Sequence, residues 1–425
     1  MYPSAGQATR IRSARFLASA FCLILGQVCV AGEAIELHIV CRDSFLPGVP
    51  VLVRAELRHL DGSLASEYWD EIVDLETDPG GRLDSDQVKL WSGVGSALVT
   101  IDGEEDVTLT ARARGVEFTK TLRSLSGDPQ VEVSGDLPSG LSEWSGIVRV
   151  TDDTRVPEDG TLRIAAGTLI LLDGVEDGSD GADLNVVGHL ESMGTRSQPV
   201  TFTAVDPELP WGEIHHDEAQ PSEYHYTHVT RAGNSPGGGH TGTGPSIRPD
   251  DSEIQLDWCA FSDHVGKVME ADGSDLQMRH CLLSRSVMGP EIDNTALVFE
   301  DCYITEMYGD DDNDGIYMHS QGSDQELVIR RCIVAGGDDD GIDTLGADVT
   351  IEDTIVRDFA DKGISVFHDD IFIRGCLVVD NDIGISAKSS DDDHAYVTVE
   401  RTTIVNNMIG IQARDKSGEP DADIQ

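Results

Sequence analysis

The chain contains Leu297-Val-Phe-Glu-Asp-Cys302-Tyr-Ile304, and six further segments repeat its pattern of apolar residues around a Cys or Thr. The other copies are centred on Cys259, Cys281, Cys332, Thr354, Cys376 and Thr402. A Gly-Ile pair follows the later copies, in Asp314-Gly-Ile316, Asp340-Gly-Ile342, Lys362-Gly-Ile364, Ile383-Gly-Ile385 and Ile409-Gly-Ile411. Because the Cys or Thr positions are 21 to 30 residues apart, the stretch is a repeat of short units.

Alternating apolar residues rich in Ile and Val predict β-strands in each unit. A unit of this size cannot bury its apolar side alone, so successive units must stack. The Gly-Ile pair marks a turn into another strand, and Leu does not dominate as it does in leucine-rich repeats. The pattern therefore favours a right-handed parallel β-helix with one coil per repeat.

The repeats resemble those of the secreted parallel β-helix proteins of the pectin-lyase-like superfamily, over residues 143–425. The resemblance implies an all-β fold. It does not imply one activity, because the superfamily contains lyases, hydrolases, epimerases, adhesins and members without catalysis. The chain stops at Asp423-Ile-Gln425, which matches the start of a coil. We therefore expect further coils or another domain after residue 425 in a longer protein.

Residues 33–135 have a different pattern. Short runs of alternating apolar and polar residues are separated by turn signals such as Asp78-Pro-Gly-Gly81. Strands at this spacing indicate an immunoglobulin-like β-sandwich. A spacer, a cap on the β-helix and a binding module are the roles that the sequence leaves open for it. A stretch rich in Pro, Gly and Ser between Ser126 and Ser145 is predicted to be a linker.

Residues 1–31 have the basic, apolar and small-residue parts of a signal peptide, so we expect a secreted, periplasmic or cell-surface protein. No other stretch is apolar enough to span a membrane. The net charge of −48 disfavours nucleic acid as a partner and favours cations. Five cysteines share one column of the repeat, where they are expected to pack inside the coils rather than form disulfides.

Aligning the coils on Gly-Ile places Asp314, Asp340 and Lys362 in one column. Tyr317, Asp343 and Ser365 then form an outward column, and His319 lies two residues beyond Tyr317. Three interpretations remain open. In the first, Asp and Asn populate the turns for their backbone preferences, and Lys362 offsets the carboxylates.

In the second interpretation the strip binds Ca²⁺. Residues 310–315 match the front half of an Asp-x-Asp-x-Asp-Gly loop, but Gln321 stands where the bidentate Glu belongs. The predicted metal ligands are Asp310, Asp312, Asp314, Asp338 and Asp340.

In the third interpretation the strip is catalytic. A lyase acting on uronic acids needs a base and a cation that neutralises the sugar carboxylate, and Lys362 is the candidate base. A hydrolase would use paired carboxylates. The predicted catalytic residues are Lys362, Asp339, Asp340 and Asp343.

The preferred function is an extracellular carbohydrate-binding or surface-structural module stabilised by Ca²⁺, with a polysaccharide or cell-surface glycan as partner. The alternative is a polysaccharide lyase or glycoside hydrolase that acts on acidic glycans. Whether the protein is an enzyme stays open at this point.

Overall fold

A computed structural model describes residues 34–176, 180–309, 312–322, 325–390 and 394–415. Within these ranges the regular secondary structure consists of β-strands. The described residues contain no helix long and apolar enough to cross a membrane. The predicted signal peptide, residues 1–31, lies outside the described residues, as do residues 416–425.

The first eight strands are β1 (Ile35–Val40), β2 (Ser44–Phe45), β3 (Pro50–His59), β4 (Ile72–Asp78), β5 (Gln87–Lys89), β6 (Val94–Thr100), β7 (Val107–Ala113) and β8 (Val116–Ser124). They form two sheets, β1-β3-β6 and β2-β8-β7-β4-β5. Along β4 buried and exposed residues alternate, as expected for a strand with one face on a core. Both sheets contribute to one apolar core, which includes Val53 and Leu109. The region is therefore a two-sheet sandwich, and its immunoglobulin-like type stays a prediction.

The β-helix begins with β9 (Gln130–Asp136), β10 (Gly140–Trp144), β11 (Ile147–Val156), β12 (Gly160–Ala165), β13 (Leu169–Leu172), β14 (Leu184–Val186), β15 (His189–Met193), β16 (Val200–Ala204), β17 (Ile214–Asp217), β18 (Ser222–His225), β19 (Thr227–Thr230) and β20 (Pro245–Asp250). It continues with β21 (Glu253–Asp257), β22 (Ala260–Ser262), β23 (Lys267–Asp272), β24 (Asp275–Arg279), β25 (Leu282–Ser286), β26 (Met288–Asp293), β27 (Ala296–Glu300), β28 (Tyr303–Met307), β29 (Ile316–His319), β30 (Leu327–Arg330) and β31 (Ile333–Gly337). The last coils contain β32 (Ile342–Leu345), β33 (Val349–Glu352), β34 (Ile355–Phe359), β35 (Lys362–Phe367), β36 (Asp369–Arg374), β37 (Leu377–Val379), β38 (Ile383–Ser389), β39 (Ala395–Glu400), β40 (Thr403–Val405) and β41 (Ile409–Asp415).

Each coil contributes one strand to each of three parallel sheets. Sheet 1 has the order β10-β12-β15-β18-β21-β24-β27-β30-β33-β36-β39. Sheet 2 runs from β11 through β13 and every third strand to β40, and sheet 3 runs from β11 through β14 to β41. Parallel pairing of strands that lie one coil apart is the defining feature of a β-helix, so the predicted fold is confirmed.

The repeated Cys or Thr forms one interior column. Cys259, Cys281, Cys302, Cys332, Thr354 and Cys376 are buried, and the cysteines are free thiols. Each thiol donates to a backbone carbonyl of the preceding coil, as Cys302 Sγ does to Met278 O at 3.3 Å. The residue before each column member has positive φ, for example 57° at Trp258 and 55° at His280. This one-residue turn directs the chain from sheet 1 into sheet 2.

Glycine in the Gly-Ile pair allows neighbouring turns to approach closely. A Cβ on Gly315 would lie 2.5 Å from Gly341 O, and one on Gly341 would lie 2.5 Å from Gly363 O. Real Cβ atoms do not approach a backbone oxygen so closely, so a side chain there would force the coils apart. The Gly-Ile pair is thus required by coil stacking.

Strand pairing starts the β-helix earlier than the predicted residue 143. β9 pairs in parallel with β11, and β10 pairs in parallel with β12. Residues 130–136 therefore belong to the β-helix and not to the end of a sandwich that spans 33–135, and the predicted linker is partly strand. Only the sequence between Ser124 and Gln130 joins the two regions.

The sandwich packs sideways against sheet 2. Leu52, Trp91 and Val94 of the sandwich form an apolar cluster with residues of the β-helix such as Leu282 and Tyr303. Polar contacts flank the cluster: Arg285 Nη1 donates to Ser96 O at 2.6 Å, and Arg54 Nη1 donates to His280 O at 2.8 Å. The sandwich therefore contacts the β-helix along its side, at sheet 2 and the turn before it.

Candidate functional site

The acidic strip lies on sheet 3, where the turn enters the strand. Backbone pairing aligns Tyr317 with Asp343, and Asp343 with Ser365, so their side chains share one outward column. Asp314 and Asp340 lie three residues earlier, at the turn. Because adjacent coils are about 4.8 Å apart, carboxylates from neighbouring coils meet here.

Asp314, Asp340 and Asp343 form a group whose carboxylate oxygens lie within 4.8 Å of one another. Asp314 is buried, and its Oδ2 accepts no hydrogen bond from any residue in the described ranges. Its Oδ1 accepts the Asp340 N–H at 3.3 Å. Burial, together with the charges of Asp343 and Asp340, raises the pKa of Asp314 well above its usual range. The site therefore holds an excess of negative charge around one unsatisfied buried oxygen.

Two lysines compensate part of this charge. Lys362 Nζ donates to Asp340 Oδ1 at 2.9 Å, and Lys388 reaches across a coil to Asp343 Oδ1 at 3.4 Å. Burial disfavours the Lys362 charge, but Asp340 and Asp361 more than offset this and raise its pKa above the ordinary value. A lysine that holds its proton so firmly suits charge neutralisation, and it is poorly suited to the predicted role of a base.

The structure brings some of the predicted metal ligands together and leaves others apart. Asp314 and Asp340 come together, and Asp343, predicted as catalytic, joins them. Asp312 and Asp338 are exposed, and neither belongs to a carboxylate group of the described residues. Asp310 lies outside the described residues. Of the described Asp residues of this loop, Asp314 joins the group and Asp312 does not.

Asp339 belongs to a second group with Asp340 and Asp361. Burial, followed by the charge of Asp340, raises the pKa of Asp339 to about 7. One carboxylate oxygen of Asp340 lies within 4.8 Å of one of Asp343, which is shorter than the separation, roughly 6.5–9.5 Å, that is typical of an inverting hydrolase. Asp340 is also paired with Lys362, which offsets part of its charge.

One functional residue comes from outside the repeat. His240 belongs to a glycine-rich loop, residues 233–244, which lies over sheet 3. Its ring stacks on Tyr317 with a centroid distance of 4.3 Å, and Tyr317 stacks in turn on His319 at 5.0 Å. His240 Nε2 is 3.6 Å from Asp314 Oδ2 and 3.5 Å from Asp312 Oδ1. His240 and Tyr317 thus adjoin the carboxylate group, and His319 continues the ring stack with Glu291 and Asp293 as its ion-pair partners.

Charged residues on three successive coils hold this loop by its backbone. Arg248 Nη2 donates to Pro236 O at 2.6 Å, and Lys267 Nζ donates to Gly238 O at 2.7 Å. His240 N donates to Glu291 Oε1 at 2.9 Å. These contacts fix the position of the imidazole over Tyr317. The glycine-rich composition of residues 233–244 is typical of a protruding loop, but it contains no signal for where the loop docks.

The clustered histidines of residues 215–228 do not form a metal site. In the sequence, His215, His216, His225 and His228 are typical of solvent-exposed turn histidines, but His216 and His228 are buried. His216 Nε2 lies 2.7 Å from the Tyr224 hydroxyl, and burial lowers the pKa of both imidazoles to about 3. They are neutral core residues.

Comparison with known proteins supports the fold. A family described as the right handed beta helix region matches residues 291–422. No curated protein matches the chain. Together with the sheet topology, the family match identifies a right-handed parallel β-helix protein.

Three solved structures show distant similarity. The ZirS C-terminal domain is 14% identical, covering 29% of this chain and 86% of that one, with a TM-score of 0.18. The alginate lyase from Paenibacillus sp. str. FPU-7 is 10% identical, covering 59% and 92%, with a TM-score of 0.17. The Azotobacter vinelandii mannuronan C-5 epimerase AlgE6 A-module is 8% identical, covering 71% and 90%, with a TM-score of 0.20. None of these likenesses is close enough to assign an activity.

Proposed function

We propose that this protein is an exported, Ca²⁺-dependent binder of acidic polysaccharide, with its binding site on the outer face of sheet 3. The observation that carries the proposal is the group of Asp314, Asp340 and Asp343, in which one buried oxygen of Asp314 accepts no hydrogen bond from the described residues. Ca²⁺ takes six to eight oxygen ligands, and carboxylates are its preferred partners in proteins. Three carboxylates leave several coordination positions for sugar and water oxygens.

The charge of the protein supports a cation as the link to the glycan. With a net charge of −48, the chain repels a polyanion, and only part of the local negative charge is offset by Lys362 and Lys388. A bound divalent cation would reverse the sign of the field at this point. A uronate carboxylate could then complete the coordination of the cation. The predicted signal peptide, residues 1–31, supports export.

Calcium binding is tested by titration calorimetry on the purified protein. We expect Asp314→Asn and Asp343→Asn each to weaken Ca²⁺ binding at least roughly tenfold, because each removes one charged ligand. Asp272→Asn is the matched control, since Asp272 is an exposed carboxylate elsewhere on sheet 3. Equal affinity in all three variants, or no Ca²⁺ binding by the unaltered protein, would refute the site.

The pH dependence of Ca²⁺ binding follows from Asp314. In the folded protein, Asp314 keeps its proton at pH values above the usual range for a carboxyl group, because burial and neighbouring carboxylates raise its pKa. A proton on Asp314 competes with Ca²⁺, so affinity should fall as pH decreases through that raised pKa. Without Ca²⁺, the raised pKa makes folding less favourable as pH rises, and Ca²⁺ should therefore increase the melting temperature more at high pH than at low pH. A Ca²⁺ effect on melting that is independent of pH would contradict this assignment.

A second function, polysaccharide lyase, is favoured by His240, Tyr317 and His319. In such an elimination a base removes the proton beside the uronate carboxylate, the bond to the glycosidic oxygen breaks, and an acid protonates that oxygen. The imidazoles and the phenol are suitable proton carriers, and they form one ring stack that reaches the carboxylate group through His240. Lys362 would then neutralise charge.

One assay distinguishes the lyase from the binder. The protein is incubated with uronate polymers and Ca²⁺, and the ultraviolet absorbance of unsaturated products is followed. Absorbance that is lost in His319→Ala and retained in Asp272→Asn would establish the lyase. Saturable binding without absorbance would leave the binder as the function.

A further inference from the structure

Sheet 1 carries a groove that is separate from the carboxylate group on sheet 3. The groove has a volume of ≈ 370 Å³ and crosses β33, β36 and β39. Its lining includes Phe372, Tyr396, Thr350 and Thr398, with Asp348 and Asp370 along one side. This volume is near the lower end of the range of about 300–1,000 Å³ that is common for small-molecule sites.

The register explains how these side chains meet. Thr350, Phe372 and Thr398 occupy one outward column of sheet 1, one residue per coil. Asp370 and Tyr396 are aligned in the adjacent outward column, two residues earlier along each strand. The result is a grid in which an aromatic ring lies between two hydroxyl groups, beside a second ring and two carboxylates.

The rings are unusual for their position. Tyr396 is 52% exposed and Phe372 is half-buried, although both point away from the core. In the preceding coils the column of Phe372 contains Gln277, Val298 and Val328 instead. Phe372 and Tyr396 are diagonal neighbours on this sheet, and each ring offers an apolar face of the kind that stacks against a sugar ring.

The polar groups fit sugar hydroxyls. Asp348 Oδ1 accepts the Asp370 N–H at 2.7 Å, which orients the Asp348 carboxylate along the groove. Carboxylate oxygens accept hydrogen bonds from hydroxyl groups, and threonine hydroxyls can donate or accept. The same carboxylates repel a polyuronate, because the groove contains two acids and its lining contains no lysine or arginine among the described residues.

We propose that this groove on sheet 1 binds a neutral polysaccharide, with sugar rings stacked on Phe372 and on Tyr396 and sugar hydroxyls bonded to Asp348, Asp370 and the two threonines. The site goes beyond the proposed function, since it lies on another sheet and takes an uncharged glycan. A protein with both sites would hold two polysaccharides of different charge at once.

The test is titration calorimetry of the full chain with cellohexaose, xylohexaose, mannohexaose and polyguluronate. At least one neutral hexasaccharide should bind saturably without Ca²⁺. Tyr396→Ala and Phe372→Ala should each weaken that binding at least roughly tenfold, because each removes a stacking surface. Tyr396→Phe should keep most of the affinity, since it keeps the ring.

Two controls separate this site from other effects. Leu141→Ala removes an exposed apolar side chain from the other end of sheet 1 and should leave binding unchanged. Asp343→Asn should also leave it unchanged, so failure of the Ca²⁺ site does not affect the outcome. Absence of binding to every neutral probe, or binding that survives Tyr396→Ala, would overturn the proposal, and circular dichroism of each variant verifies that it is folded.

Discussion

Lys267 is fully buried, and its charge is balanced by carboxylates of two coils. Its Nζ lies 2.6 Å from Glu291 Oε2 and 3.1 Å from Glu270 Oε2. Burial disfavours the charge of Glu291, but hydrogen bonds with His319 and Lys267 lower its pKa to about 2. Glu291 therefore links the buried lysine to the loop that carries His240.

We expect Glu291→Gln to lower the free energy of unfolding by about 3 kcal/mol, because it leaves the buried Lys267 with one carboxylate fewer. Urea denaturation measures this loss. Glu270→Gln, at a more exposed partner of the same lysine, should cost about 1 kcal/mol. Equal losses of unfolding free energy in Glu291→Gln and Glu270→Gln would contradict the larger contribution expected of Glu291. The double variant Lys267→Met, Glu291→Gln should recover part of the stability lost in Glu291→Gln, because it also removes the buried charge.

At the scale of the single strand and turn, the Cys or Thr column is the element that repeats. Thr354 Oγ1 donates to Glu352 O at 2.9 Å, and Cys281 Sγ donates to Arg279 O at 3.3 Å. Both bonds run to the carbonyl two residues back, at the turn from sheet 1 into sheet 2. Thr and Cys thus make the same bond at this turn, which fits the presence of both residues in one column.

Cys281→Thr should therefore change the free energy of unfolding by less than about 1 kcal/mol, since the hydroxyl can make the same bond in the same column. Cys281→Leu should cost about 1–3 kcal/mol, because the added carbons overpack a filled interior. Thermal or urea unfolding compares the two variants. A threonine variant as unstable as the leucine variant would contradict the equivalence.

For the molecule as a whole, the sandwich and the β-helix share an interface that includes a buried cation. Arg357 of sheet 2 is 1% exposed, lies 4.3 Å from the ring centroid of Trp69 and pairs with Asp70 at 3.0 Å. Such a contact couples the two regions, because Arg357 would be left in a poor environment if the sandwich moved away.

We expect residues 34–415 to unfold in one calorimetric transition, and Arg357→Ala to lower the free energy of unfolding by about 3 kcal/mol. Arg374→Ala, at an exposed position on sheet 1, should cost less than about 1 kcal/mol. Two separate transitions in the unaltered protein would show that the sandwich is independent of the β-helix.

The periodicity of the sequence was sufficient to predict the coils. Strand residues alternate between inside and outside, and stacked coils repeat the same positions, so Cys302 could be placed in the core and Asp343 on the surface before the structure was known. The alignment of Asp314 with Asp340 followed from the same repeat. The boundary near residue 130 was missed, because β9 and β10 lie in a stretch with a composition typical of linkers.

The position of His240 over Tyr317 and the docking of the sandwich on sheet 2 became visible only in the folded chain. Both depend on contacts between residues that are far apart in sequence and belong to no repeat, so local patterns of hydrophobicity carry no information about them. The choice of Asp343 over Asp312 and Asp338 as partner of Asp314 has the same origin, since it depends on which side chains face one another across coils. The sequence repeat determines the strands and coils, whereas the side chains that meet in the candidate site depend on distances in the folded chain.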